Sequence, residues 1–349
     1  MVDLFENGKN RFSSGELDRR KLHKAGLEEE FADKISDSTY FHEAKDILNY
    51  CNKNGIRIIT QDSEEYPEYL KHTNTPPRIL FAKGERINLN NRLMVSVVGC
   101  RRPTDKGKAM ARQIGRSLAK EGIVVVSGMA DGIDGEAHMG ALEAGGKTVA
   151  VLAGSVDSIY PKSHSKLYYE ILKNGMVLSE RPPGTAVKPY FYQQRNRIVV
   201  GLSQGTVVVE GKEKSGTSIT ARLALDNNRD VFAVPGNPLA WQSTLPNRLI
   251  SEGAMIVDNV DVPVEYYKDT RPEFFKAGNT RTEDKKRING LSTDDEKIVK
   301  AIEMKGGIAC IEDLAEICSF APNVLASKLT ILCIRGILRQ ESGNRYIIN

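Results

Sequence analysis

The sequence predicts an α/β fold, a mainly parallel sheet covered by helices on both faces, with a small helical region before it and a second small module after it. Two observations carry the sheet. Seven short apolar runs recur between about Asn91 and Val257: LMVSVV (93–98), IVVVS (123–127), TVAVLA (148–153), MVLSE (176–180), TVVVE (206–210), DVFAV (230–234) and AMIV (254–257). Amphipathic stretches such as GKAMARQIGRSLAKE, EAHMGALEA and SITARLALDNN lie between them. Short strands that are apolar throughout, separated by helices, are buried on both faces. A third observation marks the end of this region: residues 271–292 are polar and charged, with almost no periodic apolar positions.

Taken in order, residues 1–87 read as a helical region and a lead-in. Leu17–Ala32 is charged and helix-compatible, HEAKDILNYCN is amphipathic, and the stretch from Ile56 to Gly84 alternates apolar runs with proline turns. Residues 88–268 form the core and 269–291 a linker. Residues 292–349 begin with a capped helix, Ser292 or Thr293 as N-cap and acids in its first turn. Two more helices and a hairpin turned by Ser342-Gly343-Asn344 follow, which is the winged-helix order, with Ala321–Arg335 in the recognition position.

Composition narrows the function classes. At 349 residues and 40% hydrophobic the chain has material for more than one core, and a net charge of only +4 means that any basic site is local. The cysteines at 51, 100, 310, 318 and 333 form no CxxC pair, which argues against zinc and disulfides and fits a reducing cytoplasm. No signal-peptide core and no apolar run of membrane-spanning length is present, so a cytoplasmic protein without a membrane partner is expected.

Ligands of such sheets bind at the carboxyl ends of the strands. Five constellations fall there. GCRRPTDKGKAMAR leads from strand to helix through Gly99, with Arg101 and Arg102 where a free helix N-terminus favours an anion. SGMADGIDGEAH offers Ser127 and Gly128 for close backbone approach, Asp134 as a helix cap and His138 as a packing residue. IYPKSHSKL places Lys162 and Lys166 around His164. In PYFYQQRNR, Arg195, Asn196 and Arg197 follow Tyr190, Phe191 and Tyr192, the mixture of charge and rings that a single-stranded nucleic-acid groove uses, with Phe191 equally suited to burial. GKEKSGTS supplies Lys212, Ser215, Gly216 and Thr217 as a further anion cradle, without P-loop spacing. No nucleophile elbow, HExxH or carboxylate cluster is evident, so no catalytic residue, metal or cofactor is expected.

The ordered set VGCRRPT, SGMADGIDGEAH, IYPKSH, SERPPG, RNRIVVGLS, SGTSITARLAL and NRDVFAVPGN resembles the DNA-processing protein A (DprA/Smf) family over about residues 55–257. The resemblance implies an extended Rossmann-like core that binds single-stranded DNA, loads RecA recombinase onto it in natural transformation, and dimerises. It places DNA-phosphate contacts on Arg101 and Lys162, and the RNR arginines on Arg195 and Arg197. The chain departs from the family pattern at Cys100 (usually serine), at Asp131 (commonly basic), at Tyr192-Gln193 before RNR, and at Leu245-Pro246 before Asn247. Two alternatives stand beside this reading. One is a nucleotide-binding enzyme similar to phosphoribohydrolases, although EKSGTSITA lacks that family's glutamate and paired glycines. The other is a ligand-sensing winged-helix regulator, whose recognition segment offers only Asn323, Lys328 and Arg335 for base reading.

Overall fold

The structure is a computed structural model that describes residues 38–275, 293–305, 308–318, 320–334, 337–341 and 345–348. The helix expected at Leu17–Ala32, most of the linker, the Ser292 cap, Arg335 and the 342–344 turn lie outside the described residues. The chain divides into two compact units, residues 1–270 and 271–349.

In the first unit, helix α1 (Ser38–Lys53) precedes β1 (Arg57–Thr60), a short α2 (Glu68–Lys71) and β2 (Ile79–Gly84). The regular alternation then begins: β3 (Met94–Val98), α3 (Asp105–Lys120), β4 (Val124–Ser127), α4 (Ile133–Glu143), β5 (Thr148–Val151), α5 (Ser165–Asn174) and β6 (Met176–Ser179). It continues through α6 (Phe191–Leu202), β7 (Gly205–Val208), α7 (Gly216–Asp226), β8 (Asp230–Ala233), α8 (Thr244–Ser251), β9 (Met255–Ile256) and α9 (Val262–Thr270). Each of the seven apolar runs coincides with one of the strands β3–β9, β7 beginning one residue early at Gly205.

The nine strands form one sheet in the order β1-β2-β6-β5-β4-β3-β7-β8-β9. From β6 across to β9 every pairing is parallel, and β1 and β2 extend the β6 edge antiparallel. The lead-in therefore joins the core sheet and does more than pack against it: Ala82 pairs with Leu178. Strands β3–β7 are buried at every position, which explains why they read as unbroken apolar runs with no alternation. This is a Rossmann-like fold. The order reverses at β3, whose neighbours are β4 on one side and β7 on the other, so the crevice of a doubly wound sheet opens beyond the carboxyl ends of these strands.

The helix α3 shows how the sequence builds the layer above. Thr104 caps it, Asp105 and Lys120 suit its dipole, and Ala111, Ile114, Gly115 and Leu118 make one buried stripe. Gly115 lies on the Ala137 carbonyl and Gly140 on that of Arg112, so α3 and α4 approach at a distance that no Cβ would permit.

The second unit holds α10 (Thr293–Met304), β10 (Ile308–Cys310), α11 (Ile311–Cys318), α12 (Pro322–Ile334), β11 (Leu338–Glu341) and β12 (Arg345–Ile348). Its strands pair antiparallel in the order β10-β12-β11. Ile298, Ile302, Leu314, Leu325, Leu329 and Tyr346 share its own core.

Candidate functional site

A cavity of about 390 Å³ lies in the crevice at the sheet's switch point. The turn after β3 contributes Gly99, Cys100, Arg101 and Arg102; the loop after β4, Gly128 and Ala130; α6, Tyr192 and Asn196. Lys212, Ser215, Gly216 and Thr217 close it from the β7–α7 turn, and Trp241 from the segment after β8. A second hollow shares Arg101, Gly128, Ala130 and Tyr192 with it and runs on to Tyr160 and Pro161. Together they form a groove from the YPK turn to the SGTS turn. Arg101 stands at the junction, exposed, with its guanidinium 4.5 Å from the centre of the Tyr192 ring.

The groove offers cations and rings in alternation. Arg101, Arg102, Lys162 and Lys212 are exposed, and Tyr160, Tyr192 and Trp241 present ring surface beside them. Lys162 begins the 3-10 turn Lys162–His164 next to the hollow's Pro161 and does not itself line either cavity. At the SGTS turn, Ser215 caps α7 in a reciprocal box with Ser218. The N–H groups of Gly216 and Thr217, in the first turn, are by geometry among those a helix leaves without internal partners.

Five of the expected contact residues are turned to other tasks. Ser127 is fully buried and its hydroxyl donates to the Val97 carbonyl (2.7 Å), so it presents nothing to a ligand. Gly128 is required by Arg195, whose guanidinium occupies the space a Cβ would need; Gly99 is required in the same way by Ile133 and the Glu210 carbonyl. Both glycines line the cavity, but it is protein that approaches them. Arg195 is only 7% exposed and donates to the carbonyls of Gly128 (2.6 Å) and Val151, tying the ends of β4 and β5 together. Burial pushes its guanidinium down and the Asp134 carboxyl up, while each charge opposes the shift of the other. Arg197 donates to the Thr75 carbonyl and pairs with Glu180 (2.5 Å).

The reason is periodicity. The RNR stretch is helical, and Phe191, Arg195, Ile198, Val199 and Leu202 fall on one buried stripe of α6. Of the three residues, Asn196 lines the groove without being buried in it. Phe191 is buried too, beneath the Arg181 guanidinium at 4.1 Å.

The departures at Cys100 and Asp131 have local consequences. The Cys100 thiol is pushed up to about 11 by burial and by Glu210, so it stays neutral. Asp131 faces away from phosphate duty: it accepts from Ser163 Oγ (2.8 Å) and lies 3.8 Å from His164 Nε2. The other ring nitrogen of His164 is 3.0 Å from the Met129 carbonyl, which only accepts, so Nδ1 carries the proton. Asp131 thus fastens the YPKSH turn, and with it Lys162, to the loop after β4. Asp134 does not cap α4 as expected: Gly132 is the N-cap and no side chain caps it, while the Asp134 carboxylate, in the first turn, reaches back to accept from the Gly128 N–H (3.1 Å).

Trp241, which lines the groove, and Glu210, which braces the Gly99–Thr104 turn without lining it, are absent from the sequence-based expectation. Trp241 follows the PGN turn, where a single exposed tryptophan past a strand end was the available signal. Glu210 ends the TVVVE run. Its carboxylate accepts from Thr104 N–H (2.8 Å) and Thr104 Oγ1 (2.6 Å) at the head of α3.

The model of the family described as DNA recombination-mediator protein A matches residues 57–268, the unit that holds this groove. The chain belongs to the DprA/Smf family. The DNA processing protein DprA of Bacillus subtilis is 40% identical over 211 residues, 60% of this chain and 71% of that one. The putative DprA of Mycobacterium tuberculosis is 31% identical over 317 residues, 87% and 80% of the two chains. Among solved structures, DprA from Streptococcus pneumoniae superposes with a TM-score of 0.60 at 32% identity, covering 74% of this chain and 89% of that one. DNA processing protein A from Helicobacter pylori, described for its single-stranded DNA binding mode, gives 0.57 at 30% identity, covering 62% and 96%.

Among the described residues, no helix is long and apolar enough to cross a membrane, and no group of three or more His, Cys, Asp or Glu is placed to hold a metal ion.

Proposed function

We propose that this chain binds single-stranded DNA along the groove, protects it, and loads RecA recombinase onto it in natural transformation and homologous recombination. The observation that carries the reading is Arg101, an exposed cation stacked on Tyr192 where the two hollows meet. Phosphates follow Arg101, Arg102, Lys162, Lys212 and the Ser215–Thr217 turn, and Asn196 adds a polar contact. Bases stack on Tyr160, Tyr192 and Trp241, each worth roughly 1–3 kcal/mol. The Helicobacter pylori relative, described for binding single-stranded DNA, supports the same ligand here.

Binding without catalysis fits the carboxylates nearest the cavity. Glu210 is turned into the α3 N-terminus and Asp134 onto a backbone N–H, so neither faces a bound sugar as a phosphoribohydrolase acid would. Incubation with nucleoside monophosphates is expected to release no free base.

Residues 88–268 are the DNA-binding core in this reading, residues 1–87 its lead-in, 269–291 a linker and 292–349 a winged helix. The recognition-position helix α12 exposes Asn323, Val324, Ser327 and Ile331, while Lys328 pairs with Asp294 (3.3 Å) and Asp295. A neutral face of this kind suits a protein partner better than a major groove. Exposed Leu225, Leu239 and Ile256 support a homodimer through the core; a cytoplasmic place is part of the same proposal. Fluorescence anisotropy with single- and double-stranded oligonucleotides of one sequence tests the reading. Preference for the single strand is expected; equal affinity contradicts it.

A further inference from the structure

In doubly wound sheets the turn after the first parallel strand, leading into a helix, takes the pyrophosphate of a dinucleotide, because free N–H groups and the helix dipole favour an anion there. Here the corresponding turn runs from Gly99 to Thr104 at the switch point and leads into α3. The position already holds an anion. Glu210 Oε2 accepts from Thr104 N–H at 2.8 Å and Oε1 from Thr104 Oγ1 at 2.6 Å, while the same Thr104 oxygen accepts from Gly107 N–H at 3.0 Å. Gly107 has no side chain where one would collide with all three carboxyl atoms. The Glu210 backbone joins in, its carbonyl accepting from Cys100 N–H at 2.7 Å. The Cys100 sulfur lies 3.9 Å from Oε2 and its thiol stays protonated, so no second negative charge is created beside it.

We infer that Glu210 determines which anions the groove accepts: its carboxylate fills the pyrophosphate position at the head of α3 and closes it to nucleotide diphosphates. The phosphates that remain welcome are those reached by exposed cations along the open groove, spaced along a strand and not clustered at one helix end. The inference deepens the proposed single-stranded DNA reading and rests on it for the groove's natural ligand, but the exclusion itself is a property of the α3 turn. A Rossmann-like crevice is thereby turned from a dinucleotide site into a strand-binding one by a residue of the chain itself.

The test uses the full chain with inorganic pyrophosphate and ADP as probes, followed by calorimetry and thermal shift at low salt, beside a dT oligomer followed by anisotropy. The variants are Glu210→Gln, nearly isosteric and able to keep the Thr104 hydroxyl bond, and Glu210→Ala, which empties the position. The wild type is expected to show no saturable pyrophosphate binding at millimolar concentration. Glu210→Ala, which empties the position, is expected to bind pyrophosphate about tenfold more tightly or better, the scale of an anion at a helix N-terminus. Glu210→Gln, which removes the charge and keeps the volume, is expected to gain less; the dT salt slope is unchanged in both. Saturable pyrophosphate binding by the wild type overturns the inference whether or not the variants fold. A folded Glu210→Ala with no gain overturns it too and leaves Glu210 as a brace. Loss of dT binding by the wild type would instead refute the DNA reading, so the two failures are distinguishable.

Discussion

Arg101 and Arg195 are the same residue type in one pocket, yet burial separates their roles. Arg101 is exposed and free to meet a phosphate, whereas Arg195 holds two strand-end carbonyls and faces the buried Asp134. Replacing Arg195 with Ala takes the charged donor from two buried strand-end carbonyls and the larger nearby positive charge from Asp134, and is expected to cost about 3–5 kcal/mol in urea denaturation. The salt slope of DNA binding should not move, and a shallower slope would return Arg195 to the phosphate path.

His138 makes a second residue-scale prediction. Its wholly buried ring is pushed down to about 3, mainly by burial and further by unfavourable electrostatics from His164 and Arg195. Nδ1 lies 2.6 Å from Thr148 Oγ1, and Nε2 has no partner among the described residues. An unfolded imidazole titrates near about 6.5, so the native state binds fewer protons below that pH. This contribution is complete above about 6.5 and is lost as pH falls toward 3, at up to about 1.4 kcal/mol per pH unit. Stability measured between pH 6.5 and 5 should therefore depend less on pH in His138→Gln than in the wild type. Equal slopes would show that the ring is not held neutral.

At the scale of elements, the junction of α3 with the end of β7 matters most. Thr104 caps the helix and also anchors Glu210, so Thr104→Ala removes two functions at once. A cap alone is worth roughly 0.5–2 kcal/mol; the loss here should lie toward the upper end in a chemical denaturation series. A cost near zero would mean that Glu210 does not depend on the cap.

The elements were legible to differing degrees for physical reasons. Strands β3–β7 stand out because burial on both faces leaves them largely apolar, and α3 and α7 because one face stays wet; α4 is covered on nearly every side and exposes only Glu143. The extension of the sheet by β1 and β2 was not legible, since the lead-in's prolines and short apolar runs suit an extended connector equally well. The RNR helix is hard to read from sequence because its charges mask the period: Arg195 stands at helical spacing from Phe191, Ile198, Val199 and Leu202. Arg101, Arg102 and the SGTS turn are placed in the groove as expected, since strand-end turns of a parallel sheet have few other places to go. Trp241 enters the groove, and Glu210 reaches the turn beside it, only through tertiary approach, which local pattern does not encode.

Over the whole molecule, the groove lies entirely within the unit of residues 1–270, and the second unit has its own core. A chain truncated after residue 270 is thus expected to keep its affinity for a dT oligomer within about threefold, less than 1 kcal/mol. A much larger loss would place essential DNA contacts in the second unit. The phosphate path itself is tested most directly by the salt dependence of dT binding in the wild type, Arg101→Ala and Lys162→Ala. Each variant should flatten the log–log slope by about 0.7, one phosphate contact on a single strand. Slopes unchanged in both would contradict the assignment of this groove to single-stranded DNA.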